Sequence, residues 1–460
     1  PDLSKYDEIA IDLETKDPEL KMRGSGSVTG RGQIVGIAVA VHDWSGYYPI
    51  RHEGGGNMDV KMVLNWFKNV LELPAKKIFH NAMYDVCFIR AEGFKIEGQI
   101  VDTMIAGSLV DENRFRYDLG SMGRDYVGKG KNEAVLAETA KEWGIDPKSE
   151  MYKLPAMYVG EYAEQDARLT LELWQEMKKE IIAQDIESIF QLETSLFPCL
   201  VDMRFLGVRV DIEAAHQLKQ KLVQEENQCL QQVKKETGID TQIWAARSIA
   251  QVFEKLSLPF DRTEKTQAPS FTKNFLQNHP HPMVQKIARA REINKAHTTF
   301  IDTIIKHEHE GRIFAEINQL RSDQGGTVTG RFSYANPNLQ QIPARNKELG
   351  PMIRSLFIPE EKCTWGVFDY SQQEPRLVVH YAALQNMYAV GDVLDAYNEG
   401  DADFHRIVAD MADIPRDQAK TINLGLFYGM GKNKLQAELG VNKEKADELF
   451  RQYHSSCTHL

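Results

Sequence analysis

Four carboxylates and a phenol in the N-terminal part of the chain have the types and spacing to hold hard divalent cations. "IAIDLET" sets Asp12 and Glu14 two residues apart in an apolar run. On a strand, both side chains then point to one face. "HNAMYD" gives Asn81 and Asp85, and "EYAEQDARLTLELW" gives Tyr162 and Asp166, each pair at i and i+4 on one helix face. An isolated D-x-E is ordinarily the polar face of a sheet. Here the apolar neighbours put the acids at the end of a buried strand, and buried carboxylates need cations. Four acids and a tyrosine can hold two metal ions, position a water and stabilise a leaving alkoxide.

A second set lies far downstream. In "TWGVFDYSQQEPRLVVHYAAL", residues 364–384, an apolar run ends on Asp369 and a helix opens at once. Val367 to Asp369 is expected to finish a strand. Ser371 is expected to cap the helix, with Glu374 three residues later completing a capping box. Pro375 then falls at the fourth helical position, where it would delete a backbone hydrogen bond. A carboxylate at a strand end suits a divalent metal, but metal-dependent phosphoryl chemistry usually needs a second acid. "RDQAKTINLGLFYG" sets Arg416, Lys420, Leu424 and Tyr428 at four-residue intervals. On spacing alone its two cations are an ordinary solvated face. "TVTGRFSYANPNLQQIPAR" gathers Arg331, Asn338, Gln340, Gln341 and Arg345 around Gly330, donors that suit minor-groove acceptors and phosphate oxygens. Arg321, Lys347 and Arg354 extend it into a local basic surface.

Taken in order, D-x-E, N-x-x-x-D and Y-x-x-x-D resemble the three motifs of DEDDy-type 3′–5′ exonucleases. The resemblance implies that Asp12, Glu14, Asp85 and Asp166 bind the metals and that Tyr162 orients the attacking water. It makes Asp102, in "QIVDTM", a structural acid. "DYSQQEPRLVVH" resembles motif A of family A DNA polymerases, the bacterial DNA polymerase I class. Gln373 replaces an apolar branched residue of that motif, and Pro375 a leucine. Carried over, Asp369 is a catalytic metal ligand, the carbonyl of Tyr370 assists it, and Glu374 is the gate against a ribose 2′-hydroxyl. "RDQAKTINLGLFYG" resembles motif B on the fingers helix. There Arg416 and Lys420 suit a triphosphate, and Tyr428 a nascent base pair. Leu424 stands where the family more often has Phe or Tyr, which puts the usual ring stacking and discrimination at the sugar 3′ position in question. His405, in "DADFHRIVAD", resembles a phosphate-contacting histidine. The run from Gly330 to Arg345 resembles the segment beside the primer terminus. "LETSLFPCLVDMRFLGVRVD" resembles the join between exonuclease domain and thumb, so the resemblance covers nearly the whole chain.

The second metal ligand of that family lies in motif C, a His-Asp-Glu hairpin well beyond motif B, and none follows Tyr428 in this sequence. Half of the polymerase metal site is therefore expected. The chain is read as truncated, as naturally split with a second chain supplying the hairpin, or as vestigial in its polymerase half, the first two being favoured. The expected function is DNA-directed DNA polymerisation with 3′–5′ proofreading. The alternative is a stand-alone 3′–5′ exonuclease whose C-terminal half only binds DNA; a non-catalytic DNA-binding subunit is the third class. Two Mg2+ per active site are implied, with Mn2+ able to substitute, and the partners are a DNA primer-template and dNTPs. "HEHE" at 307–310 reads as a turn between helix and strand rather than a metal cluster.

The elements that must position these residues follow from periodicity. Strands "EIAIDLET" and "QIVGIAVAVHDWSGYYPI", the helix "KMVLNWFKNVLE", the strand "KKIFH" and the helix "NAMYDVCFIRAEG" make 1–185 an α/β, ribonuclease H-like exonuclease domain. Residues 186–320 are expected to be a mainly helical thumb with connecting helices, interrupted at "GVRVD". Residues 321–400 are expected to be a partial palm and 401–460 partial fingers, an incomplete α+β unit. A chain of 460 residues suits several domains. The formal net charge of −11 argues against coating nucleic acid by bulk charge, while leaving room for a local basic grip. The five scattered cysteines form no C-x-x-C, so reduced thiols fit. No apolar stretch is long enough for a membrane span, and the cytoplasm of a bacterial cell or phage-infected host is the expected location.

Overall fold

The computed structural model describes the chain apart from residues 324, 345, 388, 389, 401, 402, 404, 407, 408, 411–413 and 457–460; the side chains of 392, 393, 417, 418, 421 and 452–456 are likewise left aside. The chain divides into two compact units, 1–363 and 364–460.

Five strands build the first sheet: β1 (Glu8–Lys16), β2 (Gln33–Val41), β3 (Trp44–Pro49), β4 (Lys76–Phe79) and β5 (Ile100–Asp102). Their order is β3-β2-β1-β4-β5. β1, β2 and β3 pair antiparallel, and β4 joins β1 in parallel, as β5 joins β4. The near-continuous apolar run of β2 is explained by burial on both faces. Strand parity sorts the two cores. Ile9, Ile11 and Leu13 of β1 pack with Ile37, Val39 and Phe67 on one side. Ala10 packs on the other with Ala38, Ala40, Ala163, Ala167 and Trp174. Asp12 and Glu14 share the parity of Ala10, so they point toward the helix Gly160–Ala183. The small residues on this face let that helix lie close to the sheet. At its far end, Trp174 Nε1 and Lys178 Nζ donate to Glu8 Oε1 at 2.9 and 3.0 Å. Anchored there, the helix runs back along β1 and brings Tyr162 and Asp166 to the end that carries Asp12 and Glu14.

Beyond this domain, the helices Glu187–Leu206, Ile212–Thr237, Ala246–Lys255 and Pro282–Lys295 dominate, as their patterns predict. "GVRVD" supplies the short strand Val208–Arg209, which pairs with Arg312–Ile313. "HEHE" is one arm of a hairpin: Glu308–His309 pairs with Arg312–Ile313 across a turn. The segment 321–362 is largely irregular, with the strand Ser333–Ala335 and the helix Leu349–Arg354.

The second unit is helical, with Gln373–Leu384, Val390–Glu399, Arg416–Phe427, Lys432–Leu439 and Lys443–Ser456 around a core that includes Val379, Tyr397, Ile422 and Leu435. Three expectations fail at its start. Val367 to Asp369 forms no strand, and Phe368 is 96 % exposed, because no other strand among the described residues offers it hydrogen bonds. Ser371 does not cap the helix. Gln372 does, in the left-handed region at φ 55°, without a capping bond from its side chain. The helix therefore starts later than predicted, and Pro375 is its third residue. The first amides of a helix have no intrahelical partner, so the proline removes no backbone bond there.

Candidate active sites

The first site is assembled by three elements. β1 supplies Asp12 and Glu14, and the register of its pairing with β2 slips just beyond the acids. The helix Ala82–Ala91 supplies Asp85, which is 5 % exposed and accepts from Leu13 N at 3.0 Å, locking it against β1. The helix Gly160–Ala183 supplies Tyr162 and Asp166. Asn81 is not a site ligand on a helix face; it is the N-cap of Ala82–Ala91, at φ 67°. Asp102 is structural, as the resemblance implies. It accepts from Asn81 N at 3.0 Å, Ala82 N at 2.8 Å and Met104 N at 2.8 Å, tying the starts of two helices to β5. Burial raises its pKa to about 6, against the pull of those amides.

The acids perturb one another as clustered charges must. Burial first, then the charge of Asp166, raises Asp12 to about 7. Burial, followed by Asp12 and Asp166, holds Glu14 well above the ordinary range. Burial and Asp12 do the same to Asp85. Burial also raises Asp166, opposed by Lys131. Asp166 is 2 % exposed, and its Oδ1 is buried without a hydrogen-bond partner. Four repelling carboxylates with an orphaned oxygen are the donor set of a hard divalent cation. In this conformation no group of three or more His, Cys, Asp or Glu among the described residues is gathered tightly enough to hold one. Lys131 stands among them instead.

Three neighbours were not legible in the sequence. Lys131 Nζ donates to Asp166 Oδ2 and, at 3.2 Å, to Tyr162 Oη. Tyr47 senses both Glu14 and Asp12, and its hydroxyl bonds His52 Nε2 at 2.6 Å. It lies so close over β2 that a Cβ at Gly36 would stand 1.9 Å from its oxygen. Gly36 is the register partner of Glu14, and Tyr47 pairs with Ala38, the partner of Asp12, which sets Tyr47 in the row of the acids. His80 bonds Thr103 Oγ1 through Nδ1 at 2.8 Å, while Thr103 donates to Phe79 O at 3.1 Å. His80 Nε2 is buried without a hydrogen-bond partner.

The second set is less assembled. Asp369 and Tyr370 are exposed, and Glu374 is half-buried in the first turn of Gln373–Leu384. Arg416 opens the helix Arg416–Phe427 and donates to Asp403 Oδ2 at 2.6 Å. Lys420 is exposed, Leu424 half-buried, and Tyr428 caps the helix and is exposed. His405 is 3 % exposed and bonds Asn423 at 3.1 Å, so this conformation does not present it to a phosphate. In the donor-rich segment Arg331, Gln340 and Gln341 are exposed. Asn338 caps the short helix Leu339–Gln341 by accepting from Gln340 N at 3.0 Å, and Gln340 Nε2 donates to Phe332 O at 2.9 Å. Arg345 lies outside the described residues.

Two family models match the chain. One, described as DNA polymerase family A, covers residues 212–460, and one, described as 3′–5′ exonuclease, covers residues 2–182. A DNA-directed DNA polymerase of Pseudomonas phage M6 is 37 % identical over 94 % of this chain and 68 % of its own length. DNA polymerase DpoZ of Acinetobacter phage SH-Ab 15497 is 29 % identical over 96 % of this chain and 73 % of its own. DNA polymerase I of Pseudomonas aeruginosa is 28 % identical over 98 % of this chain and 49 % of its own. A solved structure, the POL domain of Pol1 from M. smegmatis in complex with DNA primer-template and dNTP, shares the fold at TM-score 0.74. It is 20 % identical over 98 % of this chain and 73 % of that one.

Proposed function

Because the chain belongs to DNA polymerase family A and carries a 3′–5′ exonuclease domain, we propose that the cleft at the end of β1 hydrolyses the 3′-terminal nucleotide of DNA, while the second unit serves template-directed dNTP addition. The observation that carries the editing half is the convergence of Asp12, Glu14, Asp85, Asp166 and Tyr162, from three separate stretches, on one end of one sheet. Divalent ions, magnesium by preference and manganese in its place, supply charge neutralisation and an activated water when bound. Asp12, Glu14, Asp85 and Asp166 would hold them in the cleft. Asp369 and the Tyr370 carbonyl are the corresponding groups in the second unit. Two-metal phosphoryl transfer there calls for a further acid beside Asp369.

The protein's own groups position the reactants. Burial, then the charges of Asp166 and Glu14, drives the Tyr162 phenol far above its ordinary pKa. It stays protonated and can donate to the attacking water or the phosphate. The amide of Leu13 keeps Asp85 in place. In the second unit, Arg416 and Lys420 face the triphosphate, Glu374 excludes a 2′-hydroxyl, and Leu424 and Tyr428 border the base pair. His405 reaches a phosphate only after it parts from Asn423. Arg331, Asn338, Gln340, Gln341 and Arg345 contact primer-template DNA. A ribonuclease H-like editing domain, a helical thumb and a partial palm and fingers are the architecture this reading assigns.

The test uses end-labelled single-stranded DNA and a primer-template with the whole chain. Asp12→Ala with Asp85→Ala should abolish digestion and spare extension, and Asp369→Ala the reverse. Digestion that survives the double substitution would remove the basis of the editing assignment.

A further inference from the structure

Lys131 is the one cation placed inside the carboxylate cluster by the contacts described above. It lies on an irregular stretch, Lys129 to Glu133, that no helix or strand holds. Its stem passes Gly120, where a Cβ would stand 3.5 Å from its Cγ. Its side chain is 22 % exposed, while that of Asp166 is 3 % exposed. Besides its bonds to Asp166 and Tyr162, the ammonium lies 5.2 Å from the centre of the Tyr162 ring. Tyr162 is thus an acceptor for the lysine, and Asp166 spends one oxygen on it. The other Asp166 oxygen is buried and unpartnered.

We propose that Lys131 is the resident counter-cation of the metal-free editing site, and that its ammonium and a divalent ion exclude each other at Asp166. The inference rests on the exonuclease reading of the cleft. Burial together favours protonation of these acids, and those that stay ionised need positive charge beside them. One ammonium with a short reach supplies it when metal is absent, and holds Asp166 and Tyr162 in place. A divalent ion held through the unpartnered Oδ1 would bring a second positive charge against the ammonium on Oδ2, and that repulsion opposes keeping both at Asp166. A charge-assisted hydrogen bond corresponds to about a ten- to hundredfold factor in an equilibrium constant. Lys131 therefore weakens the first metal-binding step by that order and releases Tyr162 as the metal arrives.

Two measurements test this with the whole chain. Free Mn2+ followed by electron paramagnetic resonance gives its affinity for the site that Asp12→Ala removes. Lys131→Met should bind Mn2+ about tenfold more tightly or better, and Lys131→Arg should stay near the parent. The second needs no variant. Acetylation of Lys131 by an amine reagent, followed by mass spectrometry, should be slow in chelator and at least about tenfold faster once Mn2+ is added. Unchanged or weaker Mn2+ binding by folded Lys131→Met, or labelling that ignores Mn2+, overturns the proposal. If the parent binds Mn2+ and digests DNA while both Lys131 measurements stay flat, only this inference fails. If the parent binds no Mn2+ at Asp12, the exonuclease reading fails with it.

Discussion

At the scale of single residues, the site depends on close approach and on buried polar atoms with one fixed role. Gly36 is the plainest case. A methyl there would overlap the Tyr47 hydroxyl and ring, so Gly36→Ala must push Tyr47 away from His52 and Glu14. Overpacking of this kind costs roughly 1–3 kcal/mol. Urea unfolding should show that loss, and digestion should fall with it. In Gly36→Ala with Tyr47→Ala the clash disappears, and the two losses should be less than additive. His80 gives a pH signature. Burial, then the charge of Lys131, lowers its pKa from 6.5 to about 3. Between those values the unfolded chain binds the extra proton. The contribution to stability is therefore complete above pH 6.5 and is lost as pH falls toward 3. Lowering the pH from 7 to 5.5 should cost about 1 kcal/mol through this group. Melting curves at the two pH values should show a smaller drop for His80→Asn than for the parent. An equal drop would mean that His80 is not held neutral by the fold.

At the scale of elements, the site is only as precise as the helix starts that carry it. Asp102 holds two of them with three backbone amides. Asp102→Ala would leave those donors buried and unpaired, at about 1 kcal/mol or more each. The expected loss is roughly 3 kcal/mol, with faster hydrogen exchange at Asn81, Ala82 and Met104. Asp102→Asn keeps one acceptor oxygen and should recover part of it. Hydrogen exchange unchanged in Asp102→Ala would show that the helices are held otherwise. These elements also show what the sequence can and cannot disclose. Period-two and period-four spacing put Asp12 with Glu14, and Tyr162 with Asp166, on one face each, because local periodicity decides which way each side chain points; that these stretches and Asp85 belong to one site came from their resemblance to the exonuclease motifs. Lys131 had no such signal. Its place is set by an irregular loop whose path depends on packing far along the chain. Val367 to Asp369 carried a strand's composition, yet a strand needs a partner to bond, and composition does not record one. Ser371 and Glu374 fitted a capping box, but the cap is one residue later, at a left-handed Gln372, which moved Pro375 to a harmless position.

At the scale of the whole molecule, charge decides how DNA can be held. The formal net charge of −11 repels a polyanion, so any grip must come from a few cations in the right places. Arg331, exposed in the donor-rich segment, is one such cation. Binding of a primer-template through few phosphate contacts should depend on salt, with log K falling against log salt by about 0.9 per neutralised phosphate. A protein with a broad basic face would show a slope of many units; here a slope of only a few is expected. Arg331→Ala should weaken binding and make the slope shallower by about one unit. Arg262→Ala removes the same charge from an exposed strand elsewhere and should leave the slope unchanged. Fluorescence anisotropy titrations at several salt concentrations read both quantities. If the two substitutions act alike, binding follows net charge and the local surface around Arg331 has no special part in it. If Arg331→Ala weakens binding without changing the slope, its guanidinium meets a base edge or a sugar rather than a phosphate, and the contact would be one of groove recognition.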